Sequence, residues 1–194
     1  MITELSKQIS HFLYQKKVIE KDMIEVHQYG FETIFSTLLG FFVNLVIGIV
    51  FRMTLLSLVY YFVFCTIRQF TGGYHADTYL KCNLTFAATT IFIFGMAKMA
   101  DMCNFYSIIF HLLLIIFSVA VIWIKAPVEN ENKPLSEDQK IRNHRLSVIT
   151  VTGLAVLSIF LHKESILISA LIAFTLFIIA VMTVIETSKE GEEL

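Results

Sequence analysis

Six long stretches without a formal charge dictate what this chain can become: Ile34–Phe51, Met53–Ile67, Leu84–Ala97, Phe105–Ile124, Leu146–Leu161 and Ile166–Ile185. A hydrocarbon core of about 30 Å takes roughly 20 apolar residues of helix to cross. Inside it every backbone polar group must be satisfied within the segment, which leaves helices or a closed barrel. Continuous apolar runs of this length are the signature of helices. Three of the runs are comfortable spans. The shorter three, Met53–Ile67, Leu84–Ala97 and Leu146–Leu161, can borrow flanking residues, because the stems of Arg68, Lys98 and Lys163 are long enough to snorkel toward headgroups. The expected fold is all-α, a polytopic membrane protein of about six transmembrane helices. Arg52 and its neighbours alone separate the first two runs, so these form a tight helical hairpin or one long bent element.

Composition agrees. The 194 residues are 56% hydrophobic and 16% charged, against about a quarter charged in soluble domains. No repeat or low-complexity tract divides the chain, and residues 1–194 read as a single membrane domain. The net charge of −1 points away from a nucleic-acid partner and leaves membrane lipid as the expected surrounding. Lys and Arg gather on cytoplasmic faces. With an inside N-terminus and six crossings, twelve bases fall inside and Arg52, Lys98 and Lys163 outside. Both termini and the segment 68–82 are then cytoplasmic, in a cell membrane. Residues 1–30 lack a signal-peptide pattern. There, Leu5, Ile9, Phe12, Ile19, Met23 and Val26 recur at helical spacing, predicting an amphipathic helix in the interface or packed on the bundle. A loop at 125–145 carries both prolines, Pro127 and Pro134, with Asn130 and Asn132 between them, and reads as a break between helices.

Arg68 to Cys82 (RQFTGGYHADTYLKC) is a polar island between apolar runs, and ionisable clusters at membrane depth mark function. A thiol acts as a nucleophile once ionised, and an imidazole can take its proton and return one to a leaving amine. His75 and Cys82 supply that pair. Seven residues of straight helix would hold them about 10 Å apart along the axis, so catalysis requires a bent backbone. Gly72 and Gly73 provide one, predicting a re-entrant or interfacial segment. Asp77 is a candidate to orient His75, although two residues along a helix points about 200° away. Arg68 and Lys81 suit the thiol or an acidic peptide, or anchor helix ends at the headgroups. His75, Asp77 and Cys82 are also three metal-ligand types, but the paired spacings of zinc sites are missing; no metal and no cofactor are expected. His111 reads as a helix-packing residue, Cys65 and Cys103 as packing thiols, and Asn44 and Lys98 as partners of neighbouring helices or linings of a pathway. The three cysteines form no disulfide framework.

At Arg68, Gly72-Gly73-Tyr74-His75 and Cys82, the chain resembles the accessory gene regulator B family, AgrB, membrane cysteine endopeptidases that process quorum-sensing propeptides. The likeness extends to the Pro127-Val-Glu-Asn-Glu-Asn-Lys133-Pro134-Leu loop, similar to the family's conserved loop, and to length and span number. The resemblance implies a cytoplasmic-side endopeptidase that removes the acidic C-terminal tail of a short amphipathic propeptide through an acyl-thioester on Cys82, with His75 as base. The acyl group then passes to a cysteine or serine of the precursor as a thiolactone or lactone. It makes Pro127, Asn132, Lys133 and Pro134 candidates for positioning substrate, and implies homodimers. Two rival readings remain from the residues alone. A small peptide or ion transporter would tolerate Cys82→Ser, and a membrane scaffold would need neither His75 nor Cys82.

Overall fold

The computed structural model describes residues 2–72, 78–102, 106–129 and 135–192, with side chains to residue 188. Among these the chain is helical throughout, with no strand: α1 (Ile2–Gln15), a 3₁₀ turn (Lys21–Met23), α2 (Ile24–Val50), α3 (Thr54–Thr71), α4 (Tyr79–Met102), α5 (Ile108–Lys125), α6 (Glu137–Leu161) and α7 (Ile166–Glu192). Helices α2 to α7 are six segments long and apolar enough to cross a membrane, as the apolar runs require. Each short run does borrow from its flanks: α3 takes in Arg68, α4 takes in Lys81 and Lys98, and α6 starts at Glu137, nine residues before Leu146.

Two boundaries differ from the sequence reading. The N-terminal helix is Ile2–Gln15 rather than the whole of 1–30, because the chain turns at Lys17 (φ 59°). The turn is closed by Lys17 N–H to Tyr14 O at 2.8 Å and Val18 N–H to Leu13 O at 3.0 Å, and from Ile24 onward the chain is already in α2. Helix α1 turns the small residues Ser6 and Ser10 to the interior and leaves Leu5 (46% exposed) and Phe12 (55%) outward. An outward apolar face on a helix beside a membrane bundle is suited to lipid. The second boundary is the 125–145 loop, of which 137–145 is the start of α6. Ser136 caps that helix, its Oγ accepting from Gln139 N–H while Gln139 Oε1 accepts from Ser136 N–H, a reciprocal capping box that satisfies two end donors.

Helices α2 and α3 form the tight hairpin. Arg52 adopts φ 57°, Met53 N–H reaches Gly48 O at 2.7 Å, and Gly48 lies directly on the Ser57 side chain with no room for a Cβ. Asn44, fully buried, donates to Ser57 O at 2.9 Å. It thus pairs with the neighbouring helix, the structural alternative offered by the sequence.

The core is built around α7, which packs against α3, α4, α5 and α6. Its Ala170, Ala173 and Ala180 have no exposed surface. Small residues of this kind let backbones approach closely where lipid supplies no hydrophobic drive between helices. At the end of the bundle away from Cys82, His111 joins three elements. Tyr106 Oη lies 2.9 Å from its Nδ1 and Ser158 Oγ 3.2 Å from its Nε2, while Ser169 Oγ and Ser158 Oγ each donate to the other's carbonyl at 2.9 Å. His111 is a packing and hydrogen-bonding residue, as the sequence suggests for a lone histidine in an apolar run.

Candidate active site

Arg68 ends α3 and Cys82 opens α4, so the two chemical groups that flank the central motif sit on helix termini at one end of the bundle. Thr78 starts α4, its Oγ1 accepting from Lys81 N–H at 3.3 Å and its carbonyl from Cys82 N–H at 3.0 Å. The first caps an amide that a first helical turn leaves without a partner, and the second is the opening bond of the helix itself. Asn83 then ties this turn to α2 through Nδ2–H to Ser36 Oγ at 2.9 Å. The position of Cys82 is therefore fixed by hydrogen bonds on both sides of it.

Gly72 ends α3 with φ 68° and ψ −142°, a conformation reached almost only by glycine. A Cβ here would collide with the backbone of Val128. The reason is a docking contact: Val128 N–H donates to Thr71 O at 3.0 Å, laying the start of the proline loop across the end of α3. On the other side, His144 Nδ1–H donates to Ala126 O at 2.7 Å. A carbonyl can only accept, so the proton is on Nδ1. Ala126 and Val128 are buried, and this end of the loop is a structural wall rather than a solvated connector.

These elements enclose a cavity of about 370 Å³. Cys82 and Asn83 come from α4, Cys65 and Arg68 from α3, Pro127 and Val128 from the loop, and Met182 from α7. Its apolar side is an aromatic cluster, Phe64 and Tyr61 meeting Phe86 tilted and edge-on at 5.5 and 5.8 Å between centroids. Arg68 Nη1–H points at Met182 Sδ, 3.7 Å away, and Arg68 shares the cavity wall with Cys65 and Cys82.

The sequence-derived candidates are placed as follows. Arg68, Gly72, Cys82 and Pro127 converge on the cavity. Lys81 is exposed beside Cys82 and is not part of the lining. His75, Gly73, Asp77, Asn132, Lys133 and Pro134 lie outside the described residues, as do Cys103 and the bend expected between His75 and Cys82. Cys65 departs from the sequence reading of a thiol among apolar neighbours: it lines the same cavity as Cys82, one helical turn before Arg68. Among the described residues no three His, Cys, Asp or Glu side chains come together as a metal site.

Met182 and the aromatic wall were not legible as site residues. Met182 lies within a 20-residue apolar run, where a methionine is ordinary packing bulk. Tyr61, Phe64 and Phe86 look like lipid-facing aromatics until helix packing turns them inward.

Comparison with known proteins places this arrangement. Residues 6–185 match the family model described as accessory gene regulator B, AgrB. A protein of Clostridium perfringens strain 13, named only as AgrB-like, is 27% identical over 172 residues, covering 85% of this chain and 80% of the relative. A second from C. perfringens strain SM101 is 27% identical over 169 residues, 84% and 79%. A third, again from strain 13, is 32% identical over 123 residues, 63% of each chain. No solved structure matches. With the family model spanning nearly its whole length, the chain belongs to the accessory gene regulator B family.

Proposed function

We propose that this protein is a membrane cysteine endopeptidase that matures a short autoinducer propeptide, with Cys82 as nucleophile and His75 as general base. The observation that carries the reading is the seat of Cys82: it lines a cavity at a helix terminus together with Arg68 and aromatic side chains. A peptide entering there meets a nucleophile, a positive charge and a largely apolar lining.

In this scheme Cys82 Sγ attacks the carbonyl carbon at the junction of core peptide and acidic tail, and its proton goes to His75. The C–N bond breaks as His75 returns the proton to the leaving amine, releasing the tail and leaving an acyl-thioester on Cys82. A thiol or hydroxyl within the bound precursor then attacks the same carbon, its proton passes to the Cys82 sulfur, and a thiolactone or lactone leaves. Exchange of one thioester for another is close to balanced in energy, so ring formation over hydrolysis depends on holding the two groups together and keeping water out. Aromatic walls at a lipid boundary favour both. Arg68 is suited to stabilise the negative charge that develops on the carbonyl oxygen. The distribution of Lys and Arg supports a cytoplasmic site, with both termini on that side, and the positive side chain of Lys81 suits an acidic tail.

The test is intact mass spectrometry of the detergent-solubilised protein mixed with the precursor encoded beside its own frame. Wild type should carry an adduct equal to the peptide without its tail, and Cys82→Ala and His75→Ala should carry none. An adduct on Cys82→Ala, or tail release without need of His75, refutes these roles.

A further inference from the structure

Three carboxamides line the Cys82 cavity, those of Gln69, Asn83 and Asn143, and they are not equivalent. Asn83 uses both of its amide hydrogens inside the protein, on Ser36 Oγ and Tyr79 O, each at 2.9 Å. Gln69 is exposed near the end of α3. Asn143, on α6, is 9% exposed, and its one hydrogen bond outside the helix ladder is made by the main chain, its carbonyl accepting from Ser147 Oγ at 2.8 Å. Among the described residues the Asn143 carboxamide itself has no partner. It is not sealed within protein, and the opening beside it is the cavity. The turn of α6 that carries it is held in place, because His144, the next residue, donates to Ala126 O in the loop whose Pro127 and Val128 belong to the same lining. Buried polar groups are almost always hydrogen-bonded, so an exception calls for an explanation. At the edge of a cavity that explanation is a ligand.

A carboxamide presents a donor and an acceptor side by side. One residue of an extended peptide presents the same pair, N–H and C=O, along one edge. That edge needs a match when a peptide leaves water for a cavity with aromatic walls, since an amide buried without a partner is costly. Arg68 only donates, and the Tyr61 and Thr37 hydroxyls already donate to main-chain carbonyls. We propose that Asn143 is a substrate-binding residue whose carboxamide pairs with the N–H and C=O of one residue of an extended peptide bound across Cys82. The choice of ligand rests on the peptidase reading above; the availability of the amide does not. Recognition at this point reads backbone and is indifferent to the side chain of the residue held.

Binding is measured first, in detergent micelles and on the Cys82→Ala background so that no acyl transfer intervenes. The probe is the precursor encoded beside the chain's own frame, dye-labelled and followed by fluorescence anisotropy. Asn143→Leu, similar in volume and without polar atoms, should raise Kd by at least about fivefold, the weight of one ordinary hydrogen bond. A set of precursors in which one backbone amide at a time around the junction is replaced by an ester, removing its N–H, gives a reading that a structural role would not move. One of these esters should weaken binding by about fivefold or more when Asn143 is present, and less than twofold in the Asn143→Leu variant. With Cys82 intact and no peptide, Asn143→Leu should keep the wild-type unfolding midpoint. The rate at which iodoacetamide alkylates Cys82, followed on the Cys82-containing fragment by mass spectrometry, should stay within twofold. Asn143→Ala, which adds no bulk, repeats the cycle should leucine fit poorly. The inference is overturned if neither variant weakens binding, if every ester costs the same with and without Asn143, or if both variants lower the unfolding midpoint. If the cycle comes out as expected while wild type neither cleaves nor acylates, the peptidase reading fails alone; a precursor that does not bind at all overturns both.

Discussion

Replacing Gly72 by alanine should release the proline loop from α3 while leaving the helical core intact. The perturbation acts at one place, because the new Cβ would fall on the Val128 backbone at a residue held at φ 68°, ψ −142°. A side chain forced into a glycine-only region costs about 1–3 kcal/mol. Losing the Val128 N–H to Thr71 O bond adds about 0.5–1.5 kcal/mol. Together these weaken docking by roughly 2–4 kcal/mol, or about 30- to 700-fold at 1.4 kcal/mol per decade. The assay is hydrogen exchange in detergent micelles, read at the Val128 amide and in the middle of α7. Exchange at Val128 should speed up by at least 30-fold or reach the unprotected rate, with α7 unchanged, and peptide processing should fall because Pro127 and Val128 no longer wall the cavity. A variant whose Val128 amide stays as protected as wild type refutes the argument that Gly72 is there for the loop.

Two further substitutions probe the frame. Gly48→Ala places a Cβ on Ser57, whose short side chain has no room to yield, and should cost about 1–3 kcal/mol as overpacking, measured as a lower unfolding midpoint in denaturant-titrated micelles; an unchanged midpoint would mean that the hairpin is looser than described. His111→Ala strips Tyr106 and Ser158 of a shared buried partner and should cost about 1–3 kcal/mol by the same measurement. Because that network sits at the opposite end of the bundle, Cys82 alkylation should stay within twofold of wild type, and a larger change would show the two ends to be coupled.

The membrane fold was readable because lipid imposes one demand on every span, apolar side chains on a self-satisfied backbone, and the six runs meet it. Helix ends were not, since water and headgroups accept polar residues in a continuing helix: α2 begins ten residues before Ile34. The start of α6 did carry a signal, the Ser136-x-x-Gln139 box. Arg68 and Cys82 stood out as polar residues between apolar runs. Their meeting at one cavity depends on how α3 and α4 pack against α2 and α7, which no local pattern encodes. Met182 and Cys65 belong to the site through packing alone. The proline loop was legible as a break, but the seat of its first residues is set by a glycine more than fifty positions earlier.

The central position of α7 has a consequence for biogenesis. Chains are made at about 5–20 residues per second, and of the seven α-helices among the described residues this one leaves the ribosome last. Until it arrives, α4, α5 and α6 have entered the bilayer without the helix against which each of them buries its inner face. Assembly of the bundle is therefore a late, single event rather than a growth by addition, and a premature stop codon before Ile166 removes the middle of the protein, not its edge. The same order of synthesis delivers Met182 after Arg68 and Cys82, so the cavity gains its α7 wall only once that helix has been made.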